Sequence, residues 1–403
     1  MMTRAGNHRV LIALLAAALL AFPLCVRAGL LGLRPELGLR TGGAVRSWTV
    51  EEDGEEIHVD QVTFPLLLTA PFLEESLHLT LYTSGALSDY ELSESASLSG
   101  LSDTSIRGSY RMENDRVLLI GGFSLPTGPT DLSDDEVRVS RAVSNQVLGF
   151  RTNRYGAGFD LFGNVLFAWP LGSRYSAGGA IGFARRGAFD YAPDAASGLG
   201  EVDPGDEFFL SAGGSYLGRQ EGRALSLNLD LTYRLFGSDR VEGTEVFAEG
   251  NQIELLAAGA LDTERWRLSA RLHSAFKSDN SLEGSALEWS AGSALEDVVL
   301  ANVTGDLFGA GATLIYRLTP VWDAGAAIRY SRYGEVSAEG VRKESSVAQR
   351  GSASVFEVGP TVTWAPREDL SFTLGGGVPF GSADGGDVTL SGYDLFLSSV
   401  IRL

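Results

Sequence analysis

The sequence predicts an all-β fold, a transmembrane antiparallel β-barrel of the bacterial outer-membrane type with about 16 strands. Three observations predict it: an export signal, long strands with period-two alternation, and connections that alternate between short and long. The stretch RALSLNLDLTYRLFG (223–237) places leucine and tyrosine on odd positions and polar residues on even ones. Strands of soluble sheets average about five or six residues, whereas a tilted strand needs about 9–11 to cross a bilayer.

The N-terminus has the pattern of a secretory signal peptide. Arg4 and Arg9 precede an apolar run over 10–24, and Ala28 ends a cleavage site. This run is too short for a spanning helix. A lipoprotein signal at Cys25 is the rival interpretation, but it needs a small residue just before the cysteine, and Leu24 stands there. We therefore expect residues 1–28 to be removed and residues 29–403 to form a single barrel.

Composition narrows the class of protein further. The 403 residues carry a formal net charge of -19, which becomes -22 without the three arginines of residues 1–28. A charge of this sign argues against nucleic acid as a partner. The only cysteine lies in the signal, so we expect no disulfide, and no apolar run beyond residue 28 is long enough for a spanning helix.

Further segments repeat the alternation of the opening stretch. They are 266–276, 308–318, 322–330, 356–364, 370–380 and 393–403. The apolar face of such strands is expected to meet lipid, and the small or charged face to line a wet interior.

The connections predict how the strands close. Tight turns are predicted at 112–116, 170–174, 218–223, 261–265, 318–321 and 365–370, with another near 70–76. Longer connections are predicted at 84–100, 128–152, 188–205, 237–249, 277–305 and 333–351, and the last link, 381–387, is shorter. The count gives 16 strands, the first near 33–48, with both termini on the short-turn side. Because the first two strands are the least regular, 14 is the alternative.

Aromatic and charged residues follow the same parity. Four tryptophans on the lipid-facing parity beside short turns predict an interfacial aromatic belt: Trp169, Trp266, Trp322 and Trp364. The candidate lumen-lining residues are Arg107, Arg111, Asp230, Arg234, Arg267, Arg271, Arg317, Asp323, Arg329 and Glu357. Such a lining can orient a permeating solute. Alternatively, these residues pair across strands and serve the wall, the interpretation that we favour.

Small inward residues, such as Gly178 and Gly213, either leave room for a channel or relieve crowding within the wall. Acidic stretches at 51–56, 131–136 and 382–387 either are solvated loops or recruit divalent cations that bridge lipopolysaccharide. The segment 131–136 lacks the ligand ladder of a calcium loop, so no metal site is predicted. Outer-membrane lipid, lipopolysaccharide and a small-molecule solute are the expected partners, together with the barrel-assembly machinery acting through the C-terminal strand.

The sequence contains no pattern that indicates a catalytic site. Beyond the signal only His58, His78 and His273 are present, and no serine has the setting of a nucleophile elbow. His273 and Ser274 are adjacent, so on a strand they point to opposite faces. We expect no enzyme activity and no cofactor, and a hydrolase embedded in a barrel is the third hypothesis.

The stretch LSGLSDTSIRGSYRMENDRVLLIGGFSLPTG (98–128) resembles a hairpin of outer-membrane barrels identified as transporters of a phenol-degradation meta-pathway, a family distantly similar to long-chain fatty-acid transporters. The matching residues are Gly100, Leu101, Asp103, Tyr110, Arg111, Leu125, Pro126, Thr127 and Gly128. Ser102 departs from the glycine that the family usually has, and 154–171 fits the next hairpin. The resemblance implies passage of small aromatic or hydrophobic compounds and transfers no functional residue.

Together these observations favour a monomeric channel for small molecules. A non-conducting barrel whose acidic loops bind lipopolysaccharide or a partner is the alternative.

The signal-peptide interpretation predicts where the mature chain begins. Protein purified from outer membranes should give Gly29 as its first residue on N-terminal sequencing, because Ala28 ends the cleavage site. Retention of residues 1–28, or a lipid on Cys25, would contradict it.

Overall fold

The structure is a computed structural model. It describes residues 37–52, 54–73, 76–92, 94–112, 115–193, 200–282, 305–335, 338–339 and 352–402. The predicted signal peptide lies outside these ranges. Within them, no helix is long and apolar enough to cross a membrane.

The strands in chain order are β1 Gly38–Glu52, β2 Glu55–Phe72, β3 Leu77–Glu91, β4 Ser95–Leu101, β5 Thr104–Arg111, β6 Val117–Leu125, β7 Asp160–Pro170, β8 Tyr175–Arg185, β9 Phe189–Tyr191, β10 Gly200–Asp203, β11 Glu207–Gln220, β12 Arg223–Phe236, β13 Ser238–Val241, β14 Thr244–Ala248, β15 Gln252–Asp262, β16 Trp266–Lys277, β17 Asn280–Leu282, β18 Leu307–Thr319, β19 Trp322–Tyr333, β20 Ala338–Glu339, β21 Ala353–Arg367, β22 Leu370–Ala383 and β23 Val388–Arg402.

Seventeen of these segments form one closed sheet. β4 and β5 both pair with β3 and are the two halves of one wall strand that is interrupted at residues 102–103. Counted so, the barrel has 16 antiparallel strands, and β1 closes it by pairing with both β2 and β23. The prediction of a 16-strand outer-membrane barrel is confirmed, and the alternative of 14 is wrong.

Short and long connections alternate around the barrel, and the end with the long connections is the extracellular end. Two predicted loops are wrong, however. Residues 84–91 and 95–100 lie in the paired strands β3 and β4, and Glu52 of β1 pairs directly with Glu55 of β2 at the end of a hairpin. The alternation fails there because polar inward side chains of these strands, such as Gln61 and Ser88, are buried by a loop inside the barrel.

The outer surface is apolar over its middle, as a bilayer requires. On β12, Leu229 and Leu231 are more than half exposed, whereas Asn228 faces the lumen. The predicted belt tryptophans lie on the outward face beside short turns. Trp322 and Trp364 stack at 6.0 Å between ring centroids, Trp364 also stacks on Phe372, and Trp266 is opposite Tyr316.

The core of buried apolar residues lies inside the extracellular half of the barrel. Its centre is loop L3, residues 126–159, whose helix α1 (Asp134–Ser144) lies against β3 and β4 and buries Val137, Val139 and Val143 in the same cluster as Leu98 and Trp48. Ser133 caps this helix and forms a capping box with Glu136. The acidic stretch 131–136 is therefore a helix N-terminus, where carboxylates are stabilised by the helix dipole.

Four other extracellular connections build a second, smaller sheet. They contribute β9, β10, β13, β14, β17 and β20. The amide of Ala192, next to β9, donates to the carbonyl of Thr130 at 2.7 Å and joins this sheet to L3. Phe189, Tyr191 and Phe247 continue the buried core.

The two faces of β12 predict opposite tolerance to charge. Leu229→Arg should lower the free energy of unfolding in lipid vesicles by about 2–4 kcal/mol, since it places a charge near the bilayer midplane. The neighbouring Asn228→Arg should change it little, because that side chain reaches the lumen. Equal losses for both variants would contradict the assignment of faces.

Candidate functional site: the constriction inside the barrel

Loop L3 folds into the lumen and is held against β1 by the carbonyl group of Leu148. Arg46 Nε donates to the carbonyl oxygen of Leu148 at 2.8 Å, and Trp48 Nε1 donates to the same oxygen at 2.7 Å. The guanidinium of Arg46 also lies 5.5 Å from the centre of the Trp48 ring. Both residues have inward parity on β1, so two successive inward side chains form hydrogen bonds to one peptide group of L3.

Strands β2 and β3 hold the returning part of L3. The Gln61 amide donates to the carbonyl of Thr152 at 2.7 Å and accepts from its backbone N–H at 3.0 Å, as a strand neighbour would. Ser88 Oγ lies 2.7 Å from Tyr155 Oη and 3.1 Å from Gln61 Nε2. Gln61 and Ser88 are each 1% exposed, so these bonds replace the water that both side chains lose.

Five charged residues and one glycine lie beside this contact, and we call this set the constriction ring: Arg46, Arg271, Gly311, Arg329, Glu357 and Asp394. Arg271, Gly311, Arg329 and Glu357 are direct partners on the successive strands β16, β18, β19 and β21. Asp394 is the partner of Arg46 across β23 and β1.

Ion pairs connect the ring to L3. Arg46 lies 3.7 Å from Glu357 and 3.9 Å from Asp394, while Arg329 lies 3.2 Å from Glu357. Arg151 of L3 reaches Asp394 at 3.1 Å and sits over the ring of Phe396 at 5.3 Å. Gly377 makes room for the Glu357 side chain, since a Cβ there would come within 2.7 Å of its Oε1.

The charged side chains of the ring differ in how far they are exposed to solvent. The side chain of Asp394 is 4% exposed and that of Glu357 11%, whereas that of Arg329 is 62% exposed. Arg271 is exposed and has no ion-pair partner within the described ranges. Among the residues that the structure describes, Arg46, Arg151 and Arg329 share two buried carboxylates while Arg271 pairs with none, so the open side of the ring carries excess positive charge.

Two cavities lie along the wall on this open side. The first, about 500 Å³, is lined by β12, β15, β16, β18 and β19 and includes Arg267, Arg271, His273 and Arg329. The second, about 430 Å³, lies beside Ser176, Gly178, Gly213 and Asp230. Gly213 both leaves room for the channel and relieves crowding in the wall, the two roles that the sequence left open. It borders the second cavity, and a Cβ there would overlap the carboxylate of Asp230.

Seven of the ten candidate lumen residues are in ion pairs. The pairs are Arg111–Asp115, Arg234–Glu207, Arg234–Glu254, Arg267–Asp262, Arg317–Asp323 and Arg329–Glu357. Arg107, Asp230 and Arg271 make no ion pair with a residue that the structure describes. Pairing within the wall thus accounts for most of the inward charge, and the constriction ring brings together three of the candidates: Arg271, Arg329 and Glu357.

Sequence reasoning missed the residues that hold L3. Arg46 and Trp48 share one face of β1, but the alternation of this strand is among the least regular, so parity did not single them out. Gln61 carried no signal, because an isolated glutamine in a strand is ordinary. Within the described ranges, no group of three or more His, Cys, Asp or Glu side chains is arranged to hold a metal ion.

Known proteins resemble this chain only distantly. No protein-family model matches the sequence, and no curated protein does. Solved structures with a similar fold include a BenF-like porin of Pseudomonas fluorescens (10% identity, 91% of this chain and 98% of that one, TM-score 0.46). OprD of Pseudomonas aeruginosa (10%, 91% and 94%, 0.44) and OpdK of the same organism with vanillate (9%, 90% and 98%, 0.43) are others.

The architecture itself locates the protein. A closed barrel of even strand number, with an apolar outer band and aromatic residues beside its short turns, belongs in the bacterial outer membrane. The resemblance to transporters of a phenol-degradation pathway is matched by no family model and stays a hypothesis.

The buried contact of Tyr155 predicts a pH dependence of stability. Burial raises the pKa of the Tyr155 phenol to about 12 from its usual value of 10. The neutral phenol is therefore favoured in the folded state, and its contribution is complete below pH 10 and lost as the pH rises through 12. The free energy of unfolding should fall by roughly 2–3 kcal/mol more over this interval than in Tyr155→Phe. Parallel pH curves for the two proteins would contradict this.

Proposed function

We propose that this barrel is an outer-membrane channel for small molecules and that L3 together with the constriction ring selects what passes. The observation that carries the proposal is that L3 covers one side of the constriction ring and leaves the arginines of the other side open to a cavity. L3 occupies the side formed by β1–β4 and β23, while Arg271, Gly311 and Arg329 border the cavity on the other side. A glycine between two arginines leaves space in front of the wall, so a solute can pass close to both guanidinium groups.

The finer specificity follows from charge. Two exposed arginines next to a lumen cavity favour a solute with a negatively charged group, because guanidinium binds carboxylate and other oxyanions in a bidentate manner. The hydrophobic or aromatic character of the solute rests on the sequence resemblance. An aromatic carboxylate such as benzoate combines both properties and is therefore the probe of choice.

A non-conducting barrel is the second candidate, and the dry core supports it. Trp48, Val139 and Val143 are completely buried in the extracellular half, as they would be in a closed plug. In this alternative the acidic hairpin end around Glu55 and Glu56 contacts lipopolysaccharide through divalent cations. Recognition of β23 by the barrel-assembly machinery is part of either proposal.

Single-channel recording of the refolded mature protein in a planar bilayer separates the two candidates. The channel proposal expects steady current that favours anions, and benzoate should reduce it. Arg271→Gln should lower the anion-to-cation permeability ratio about two- to threefold, the effect of one unit charge near a hydrated path.

Arg185→Gln is the matched control. Arg185 is an exposed arginine at the extracellular end of β8, and its parity places it on the outer face. This change should leave the ratio unaltered. A folded barrel without current would reject the channel, and equal shifts for both variants would reject the role of the ring.

A further inference from the structure

The wall is interrupted where L3 leaves and re-enters it. β4 ends at Leu101, β5 begins at Thr104, and β6 ends at Leu125, just before L3. The residues at this point are those of the motif that carried the family resemblance, 100–103 and 125–128. β5 continues the barrel by pairing with β6, whereas β4 pairs only with β3 among the strands that the structure describes. Contacts other than strand pairing must therefore direct L3 into the lumen at this point.

The carboxylate of Asp103 bonds to both ends of L3. Its Oδ1 accepts from the backbone N–H of Gly128 at 2.9 Å, and its Oδ2 accepts from the backbone N–H of Ala157 at 2.7 Å. Its own backbone N–H donates to the carbonyl of Tyr155 at 3.1 Å. One residue of the wall thus bridges the outgoing and the returning segments of the loop.

Thr127 completes the outgoing side. Its Oγ1 accepts from the backbone N–H of Thr104 at 2.9 Å and donates to the carbonyl of Ser102 at 3.0 Å. The threonine therefore spans the interruption between β4 and β5. Its hydroxyl replaces the strand partner that both peptide groups would otherwise have.

The glycines of the motif are required by close approach. A Cβ at Gly128 would overlap the carbonyl of Tyr155, and one at Gly100 would come within 2.8 Å of Pro129 Cδ. Gly156 is similar, with the Pro129 carbonyl oxygen 2.7 Å from where its Cβ would be. The two ends of L3 are packed backbone to backbone.

We propose that Asp103 is a positioning residue that, with Thr127 and Gly128, clasps the two ends of L3 and so sets the width of the constriction. Both carboxylate oxygens face backbone N–H groups of L3, so the motif acts on the loop and not on a permeating solute. This inference rests on the proposed channel function for its consequence, but the position of L3 can be measured separately.

The test uses the full-length mature barrel with Asp103→Ala and Asp103→Asn. The alanine removes both acceptors, and the asparagine replaces one with an amide that faces the Ala157 N–H as a donor. Asp135→Asn is the control, because Asp135 lies in the same loop and pairs at 3.0 Å with Arg138 on the surface of α1. Trypsin cleavage after the arginines of L3, single-channel conductance and the heat-dependent gel mobility of the barrel are measured for each.

The clasp predicts that both Asp103 variants are cleaved in L3 about tenfold faster or more, the change expected for losing hydrogen bonds to a charged group. Their conductance should rise, while the gel mobility of the folded barrel and the behaviour of Asp135→Asn remain as in the wild type. Cleavage rates for Asp103→Ala equal to those of the wild type would overturn the clasp.

Crosslinking gives a second, independent measurement. Thr104 and Thr127 have their Oγ1 atoms 3.0 Å apart, so a disulfide between cysteines at these positions can replace the bond. In the Asp103→Asn background, oxidation of Thr104→Cys/Thr127→Cys should restore resistance to trypsin, and reduction should remove it. No difference between the two states would count against the clasp, even where Asp103→Ala fails to fold.

Failure of the clasp and failure of the channel give different results. If Asp103→Ala releases L3 to trypsin but neither it nor the wild type conducts, the clasp stands and the channel proposal is rejected. If the wild type conducts and the variant changes neither property, the channel stands and the clasp is rejected.

Discussion

The structure depends on the need of every backbone N–H and C=O group to be hydrogen-bonded where no water can reach it. A sheet in lipid meets this need only by closing, and here all 15 residues of β1 pair with β23. Closure removes the edges and creates an interior at the same time. The interior then has to be hydrated or filled, and this barrel does both. Cavities remain along the wall formed by β12, β15, β16, β18 and β19, whereas L3 fills the opposite part of the extracellular half with a packed core.

The same constraint explains the contacts of L3. An irregular loop inside a barrel brings peptide groups that no strand pairs with, and buried peptide groups need partners. The wall supplies them from side chains: Gln61 pairs with Thr152 as a strand would, and Asp103 caps both ends of the loop. Arg46 and Trp48 share the carbonyl of Leu148. These inward residues are polar because they form hydrogen bonds with the backbone of L3. The strands that carry them therefore lack simple alternation.

Charge is divided by the same geometry. The chain is strongly acidic as a whole, yet the open side of the constriction ring has more arginine than carboxylate. Most inward arginines are neutralised by a neighbour on the next strand, and these pairs are mainly exposed to the lumen, where each stabilises the wall by less than about 1 kcal/mol. Arg271 differs because its strand neighbours are Ala258 and Gly311, which offer no charge. The field at the constriction therefore arises from the cross-strand register, not from the composition.

The period-two pattern was enough to predict a barrel of about 16 strands and its outward apolar face, because lipid imposes a period of two on every strand that crosses it. The same parity predicts which arginines face inward. The folded barrel was needed to show that 84–100 is a hairpin, that L3 enters the lumen and that Asp394 and Glu357 share Arg46. Those contacts join residues far apart in the chain, such as Gln61 with Thr152 and Arg151 with Asp394. No local period records them, because each depends on where the loop lies once the barrel has closed.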